Sequence, residues 1–440
     1  MAKFIRDLIY WLNQSLWFIP LVMIILTFAL SFLFIQIDKS LHLHVDPEQF
    51  DFLFKSQDGA RQVLATIAGS MITVAGVVFS ISLVAISMVS SQYGPRVLPD
   101  FMRNRLNQIV LGIFSAAFLY CTIVLAEFSW PDELQVVPVV SIYFGFVLSL
   151  LSIIVLIYFI HNIHNSVQIT TIIAHSAKEI DKYIEKTYPL YKSGYCESPP
   201  DRDGLVVNSV KSGYVQDIDD EGLLIYSEKH DLEIDVLRNP GEFAAADSPL
   251  VKVKNWPYHR SAKKLEKRMN SFFSIGAQRT PIMDILYNVE KLVQIALRAL
   301  SPAINDPLTV LLCIDRLGEA LVKTAYRFDP HCSFADRKGK IRLHISFPTF
   351  NDLLYEGFEP ILLLGRSNPR VILHLVNILT EITEHVNSSS RLEAVAELAK
   401  AIEIEEGDRM SIHRKKLFPA YKRLHAKIYE VRKRLTAQEK

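Results

Sequence analysis

The chain has 440 residues, of which 50% are hydrophobic and 22% are charged. Soluble domains carry about 25% charged residues, so this composition favours a protein that is partly embedded in a membrane. The 48 Lys and Arg and the 47 Asp and Glu give a net charge of +1, which excludes a generally basic nucleic-acid binder and an acidic disordered chain. The four cysteines show no CxxC spacing, which argues against a disulfide scaffold and a cysteine-based zinc site.

The charges are unevenly distributed along the chain. Residues 1–160 contain only 8 Lys and Arg and 10 Asp and Glu, and they include four intervals without any charge. Each interval is long enough for the roughly 20 apolar residues that cross a bilayer as a helix. We therefore predict a transmembrane domain over residues 1–165 with four helices, near 16–37, 64–90, 108–127 and 136–160.

The loops between these segments indicate an orientation. Basic residues precede the first span and fill the loop 91–107, whereas the loop 128–135 contains none. Because basic loops stay on the cytoplasmic side, both termini and the large C-terminal part are predicted to be cytoplasmic. Unpaired cysteines are expected in that reducing compartment.

The second span carries small and hydroxylated residues at heptad spacing, so that they share one stripe of the helix. Small residues allow close approach of transmembrane helices, and hydroxyl groups can bond across them. The stripe is interpreted either as a packing seam inside a helix bundle or as the lining of a pore at the axis of a homo-oligomer. Its members are Gly69, Thr73, Gly76, Ser80 and Ser87, together with Leu83 and Ser90.

No Asp, Glu, Lys or Arg lies deep inside any predicted span. Ion-coupled transporters and proton pumps usually need such a group, whereas a channel with a hydrophobic constriction does not. In the loop after the first span, His42 and His44 could bind a metal only if Asp46 or Glu48 supplied a third ligand. We predict no metal site.

The C-terminal part starts with a predicted helical connector over residues 166–198, followed by a small β barrel over residues 199–256. Asp220-Glu221-Gly222 and Asn239-Pro240-Gly241 are typical of turns. The stretch from Asn239 to Leu250 resembles the turn of biotinyl or lipoyl barrels, but a modified lysine is not expected. Alternation along one segment predicts a half-buried strand, with the apolar positions Leu232, Ile234 and Val236.

Helical periodicity begins at about residue 281, and residues 257–440 are predicted to be a helical domain. Thr280-Pro281 is expected to cap a first helix, and Asn305 or Asp306 with Pro307 a second. A capped helix start can also bind a small anion. The region is therefore interpreted either as a stiff helical hairpin or as a ligand or regulatory site that includes Arg279, Asn305 and Asp306.

The last predicted helix, 418–437, is amphipathic, and residues 411–440 contain ten Lys and Arg but two Asp and Glu. Such a helix docks on anionic lipid, forms a coiled coil between subunits, or packs on its own domain with a solvated basic face. Nucleic acid is not predicted as a partner, because no recognition motif accompanies the charge.

The chain lacks the sequence motifs of nucleotide-binding loops, zinc proteases and serine hydrolases. We therefore predict neither enzymatic activity nor a cofactor, and we name no catalytic residue.

Three segments resemble one known family, the bacterial predicted membrane proteins grouped as domain of unknown function 2254. They are Ala60–Ser80, Ser90–Arg96 and the sequence ALSPAINDPLT at Ala299–Thr309. The resemblance covers nearly the whole chain, with Ala303 where family members typically have glycine. It implies a multi-pass protein of the bacterial inner membrane and brings no established activity.

The predicted fold is therefore a mainly α-helical membrane protein with four transmembrane helices and a cytosolic α+β region, made of a small β barrel and a helical domain. The leading functional prediction is a homo-oligomeric ion channel or passive pore that its cytosolic domains gate or filter. The alternative is a membrane-anchored sensor or scaffold that binds a ligand or partner without transport. The expected partners are the lipid bilayer, further copies of the chain and anionic lipid at the C-terminal helix.

Overall fold

A computed structural model describes residues 17–41, 57–98, 105–127, 138–191, 203–257, 261–281, 283–405 and 414–438. The chain divides into two compact units, Met1–Thr171 and Ile172–Lys440. The histidines and carboxylates considered for metal binding at 42–48 lie outside the described residues, as does the Pro-Pro segment at 199–200.

The first unit contains four helices that are long and apolar enough to cross a membrane, which confirms the prediction of four apolar membrane helices. The second is the longest, with 37 residues, and at 1.5 Å per residue it extends about 55 Å. The helices are α1 (Phe18–Leu41), α2 (Gln57–Tyr93), α3 (Arg105–Glu127) and α4 (Val139–Val167).

Helix α3 is the centre of this bundle, because it packs against each of the other three. Half of its apolar stretch is buried, against 17% to 22% in the others. Gly112 explains the close approach of α1. A Cβ atom at Gly112 would lie 3.2 Å from the Cα of Pro20 and would overlap the sulfur of Met23, so only a residue without a side chain fits between these helices.

A buried carboxylate joins the C-terminal end of α1 to the start of α4. Asp38 is 2% exposed and accepts hydrogen bonds from the backbone N–H groups of Val140 and Ser141, at 2.9 and 3.0 Å, and from the Ser141 hydroxyl at 2.6 Å. The first N–H groups of a helix have no partner within it. Asp38 therefore supplies the N-terminal cap of α4 from a different helix.

Helix α5 (Ile169–Thr187) begins after Gln168, the single residue that separates it from α4, and from Ile172 onward it belongs to the second unit. Its C-terminal half and the residues after it are fixed to the helical region by an ion pair and two hydrogen bonds. These are Asp181 with Lys323 at 2.8 Å, Tyr183 Oη to the carbonyl of Met283 at 3.2 Å, and Tyr188 Oη to the carbonyl of Pro348 at 2.6 Å.

Two open sheets follow. Sheet A has five strands in the order β1-β5-β3-β8-β7, and sheet B has three in the order β4-β2-β6. Strands β3 and β8 run parallel, and the other neighbours are antiparallel. The strands are β1 (Leu205–Asn208), β2 (Gly213–Ile218), β3 (Glu233–Val236), β4 (Phe243–Ala244), β5 (Pro249–Lys254), β6 (Phe273–Gly276), β7 (Ser333–Ala335) and β8 (Ile341–His344).

The prediction of a small β barrel over residues 199–256 is wrong, because neither sheet closes. Sheet A is completed by β7 and β8, which come from a part of the chain predicted to lie in the helical domain. The predicted turn at Asp220 is instead the start of α6 (Asp220–His230), where the side chain of Asp219 accepts a hydrogen bond from the N–H of Gly222. The turn at Asn239 is formed as predicted, with Gly241 at a φ of 89°.

The remaining helices follow from residue 262 onward, the first of them before the point at which helical periodicity is predicted to begin. Asp306 caps α9, with Pro307 at the first position, as predicted. The cap predicted at Thr280 is wrong, because Asp284 accepts the hydrogen bond from the N–H of Tyr287 and starts α8 four residues later. The helices are α7 (Ala262–Asn270), α8 (Ile285–Ala299), α9 (Pro307–Ala325), α10 (Phe350–Gly365), α11 (Pro369–His385), α12 (Ser389–Glu405) and α13 (Arg414–Gln438).

Helix α13 packs against α11 and α12 of its own unit. Its apolar stripe is buried there and its basic residues face outward. The stripe is therefore occupied within one chain, and only the basic face is available for anionic lipid. The buried positions are Leu417, Tyr421, Leu424, Ile428, Val431 and Leu435.

We predict that Asp38→Ala destabilises the first unit by roughly 2 kcal/mol or more, because three buried donors lose a charged acceptor. Lys39→Ala is the matched control. Lys39 pairs with Glu127 at 2.6 Å, but its side chain is 47% exposed, so its loss is expected to cost less than about 1 kcal/mol. Denaturation of the detergent-solubilised chain measures both. Equal effects of the two substitutions would contradict a capping role for Asp38.

Candidate functional site

The small and hydroxylated stripe of α2 lies on the face that points away from the bundle. Gly69, Thr73, Gly76, Ser80 and Ser87 are all exposed in the single chain. With 3.6 residues per turn, they lie roughly opposite the buried face of the same helix. The buried face comprises Ala60, Leu64, Ile67, Ala68, Met71, Ala75, Val78, Ala85 and Val89.

The two glycines of the stripe have free space around them. A Cβ atom added at Gly69 or Gly76 would meet no atom within 4 Å, unlike one at Gly112 between α1 and α3. The stripe is therefore not a packing seam within the bundle of one chain. A seam between chains and a pore lining are the two interpretations that place this face against something other than lipid.

The hydroxyl groups of the stripe differ in their hydrogen bonds. Thr73 Oγ1 donates to the carbonyl of Gly69, one turn earlier, at 2.8 Å. Ser80 and Ser87 make no hydrogen bond to any residue that the structure describes. Hydrocarbon offers no partner to a hydroxyl group, and leaving it unpaired there is costly. This face is consequently suited to water or to another protein surface.

The second predicted site does not form around Arg279. Its Nε and Nη2 atoms bind Asp284 Oδ2, at 2.8 and 2.7 Å, and its Nη1 binds Glu290 Oε1 at 2.6 Å. Burial raises the pKa of Asp284 above its ordinary value, although Arg279 opposes this. The guanidinium group is thus engaged by two carboxylates and fixes the start of α8.

Asn305 and Asp306 lie at the other end of α8. The N–H of Asp306 donates to the carbonyl of Ala299, the last residue of that helix. Since α8 has 15 residues, about 22 Å of helix separates these residues from Arg279. Asp306 caps α9 through Leu308 and Thr309, and the exposed Asn305 has a φ of 47°. The three residues therefore do not make one ligand site.

Sequence reasoning missed two polar groups. One is Asp38, which was treated as the boundary of an apolar run. The other is a buried set on sheet A, where Glu233, Asp235 and His344 each place one possible ligand atom within 4.8 Å of the others. The spacing of Glu233 and Asp235 was visible in the sequence. Their partners come from distant segments, which no local pattern indicates.

A family model of predicted membrane proteins, DUF2254, matches residues 13–381. The chain belongs to this family. It is 27% identical over 355 residues to an uncharacterised protein of Mycobacterium tuberculosis strain CDC 1551, and 28% identical over 357 residues to uncharacterised proteins of M. tuberculosis strain H37Rv and of Mycobacterium bovis. Each alignment covers 78% of this chain and 67% of the relative. No solved structure matches it.

Two cysteines of this DUF2254 chain lie in its buried interior. Cys121 and Cys313 are free and buried, and burial raises the pKa of Cys313 to about 12. Neither of these two thiols is accessible to reagents in the folded protein.

We predict that Gly76→Leu leaves the fold of this DUF2254 chain intact, because the new side chain meets no atom within one chain; if copies associate through this face, the substitution obstructs their close approach and breaks the oligomer. Gly112→Leu is the matched control, expected to destabilise the bundle by about 1–3 kcal/mol through overpacking against α1. Thermal unfolding and native mass spectrometry measure fold and stoichiometry. An unchanged oligomer in Gly76→Leu would exclude this face as an interface.

Proposed function

We propose that the chain forms a homo-oligomeric ion channel or passive pore, with α2 of each copy at or around the axis. The observation that carries this proposal is the exposed stripe of α2, in which Ser80 and Ser87 have no hydrogen-bond partner among the described residues. A water-filled axis satisfies hydroxyl groups that lipid cannot. Gly69 and Gly76 would let neighbouring copies approach closely.

The charges of the spans support a passive pathway. In the described parts of the four helices, Asp, Glu, Lys and Arg occur only near the ends. Asp38, the most buried of them, is fully used in capping α4. A carrier coupled to protons or cations would need an ionisable group along its path. A hydrophobic constriction can gate a pore without one.

Helix α5 supports control of this pore by the second unit. It starts one residue after α4 ends, and Tyr188 anchors the chain after it through its hydroxyl group and its carbonyl, which accepts from Arg327 Nη1 at 2.8 Å. A displacement of the helical region would thus be passed to the fourth span through α5. We propose that this connection gates or filters the pore.

We expect Ser80→Trp to abolish or strongly reduce the currents of the purified chain in a planar bilayer, because an indole would fill the axis. Ile81→Trp is the matched control: Ile81 is one residue further along, 40% exposed, and about 100° round the helix. It should conduct as the native chain does. Equal conductance in both variants would remove Ser80 from the pore.

Silence of the native protein, shown to be folded and inserted, would contradict a pore altogether. The chain would then be better explained as a membrane-anchored sensor or scaffold. Arg279, Asn305 and Asp306 would not serve as its ligand site, since α8 separates them.

We further propose a bacterial inner-membrane location with both termini in the cytoplasm, based on the basic loop 91–107. A C-terminal fusion to alkaline phosphatase, which is active only outside the cytoplasm, should be inactive, and a fusion to green fluorescent protein at the same point should fluoresce. An active phosphatase fusion would contradict this orientation and invert the topology.

A further inference from the structure

One face of sheet A is charged and yet buried. Glu233 and Asp235 lie two residues apart on β3, so both project from the same face, opposite that of Ile234. Strand β5 pairs Lys254 with Glu233, and β8 pairs His344 with Asp235. Each of these four charged or titratable residues is at most 8% exposed. Polar groups in such a place need partners.

The ion pairs and hydrogen bonds of these buried side chains do not use all of their polar atoms. Lys254 Nζ lies 2.9 Å from both Glu233 Oε1 and Asp235 Oδ2. His344 Nε2 lies 3.6 Å from Glu233 Oε1, which is too long for a hydrogen bond. Asp235 Oδ1 is buried and accepts no hydrogen bond from a described residue. An unpaired carboxylate oxygen is unfavourable in the interior, and a cation is the partner that offsets it.

We propose that Glu233, Asp235 and His344 bind one divalent transition-metal ion, and that the ammonium group of Lys254 competes for the same place. Two carboxylates and an imidazole suit Zn²⁺, Mn²⁺ or Fe²⁺ better than Ca²⁺ or Mg²⁺, which prefer oxygen ligands alone. Ligand atoms around a tetrahedral ion with bonds near 2.1 Å lie about 3.4 Å apart. The 3.6 Å between Glu233 and His344 is close to that spacing.

The imidazole of His344 is oriented as a metal ligand requires. Its Nδ1 lies 2.9 Å from Ser333 Oγ, on the neighbouring strand β7. With the hydrogen on Nδ1, the ring donates to Ser333 and the lone pair of Nε2 is left for a metal. A second hydrogen bond of this kind fixes the tautomer and the ring angle of most metal-binding histidines.

Charge explains the competition with Lys254. Two carboxylates and one ammonium carry one uncompensated negative charge. A divalent ion in place of the ammonium makes the set neutral, which favours it in a buried site. Because Lys254 is itself 2% exposed, metal binding must displace a well-held side chain. The native site is consequently weaker than its ligands alone would make it.

Zn²⁺ titration of the full-length chain in detergent tests the site, with Co²⁺ absorption as a second readout. Lys254→Met keeps the length of the side chain and removes the competing charge. We expect this variant to bind one equivalent of Zn²⁺ more tightly than the native chain. We also expect Zn²⁺ to restore the Tm that the variant loses through its two unpaired carboxylates.

Three further variants identify the ligands. His344→Ala should abolish binding, and Ser333→Ala should weaken it by about ten- to a hundredfold. His374→Ala is the matched control, because His374 also faces a carboxylate, that of Asp315 at 2.5 Å, but lies outside the set. It should bind as the native chain does.

The proposal is overturned if folded Lys254→Met binds no equivalent of Zn²⁺, or if His344→Ala binds as tightly as the native chain. Should Lys254→Met fail to fold, the native chain and His344→Ala decide the question through Co²⁺. An absorption band that depends on His344 supports the site, and its absence shows that the four residues are an ion-pair network only.

Discussion

The hydrogen bonds of Asp38 hold the first unit together at a point that water does not reach. A helix leaves its first N–H groups unpaired, and in α4 those of the half-buried Val140 and the buried Ser141 lie at the boundary of an apolar bundle. The carboxylate from α1 satisfies both, and Tyr120 of α3 donates to the carbonyl of Ser141 at 3.0 Å. Three helices therefore meet through one polar junction, and the apolar packing around α3 extends from it.

Polar groups in an apolar bundle need hydrogen-bond partners, and this requirement also bears on the stripe of α2. Several other hydroxyl groups in the spans donate to backbone carbonyls one turn earlier, as Thr66, Ser82 and Ser152 do. That bond makes a hydroxyl compatible with lipid. Ser80 and Ser87 lack it within the described chain, on a face that nothing in the same chain covers. In the proposed oligomer, another copy of the chain or water at the axis would supply their environment.

Local chemistry explains which parts of the fold were predictable. The four spans follow from runs of apolar residues, and the start of α9 follows from Asp306 and Pro307, because a cap is decided by adjacent residues. The barrel was wrong because sheet A is completed by β7 and β8, whose pairing with β3 depends on a distant part of the chain. The turn predicted at Asp220 is the start of a helix. An acidic turn and an acidic first helical turn have the same composition, so the sequence does not distinguish them.

The two charged clusters of the second unit, one around Arg279 and one on sheet A, differ in how completely their polar atoms are hydrogen-bonded. Each of the three guanidinium nitrogens of Arg279 contacts a carboxylate, and Asp284 is bonded through both oxygens, so this cluster is a structural junction. On sheet A, Asp235 retains an unpaired oxygen.

From the sequence, the Arg279 region was a candidate binding site, and the acidic residues of β3 were not. Arg279 was noticed as a cation near a capped helix, whereas Glu233 and Asp235 had the alternation of a solvent-facing edge. In fact both faces of β3 are buried. The role of a charged side chain depends on the groups that surround it. For Asp235 these are Lys254 and His344, which the pairing of β5 and β8 with β3 places beside it. Binding sites in this unit are therefore to be sought where a buried charge is left incompletely paired.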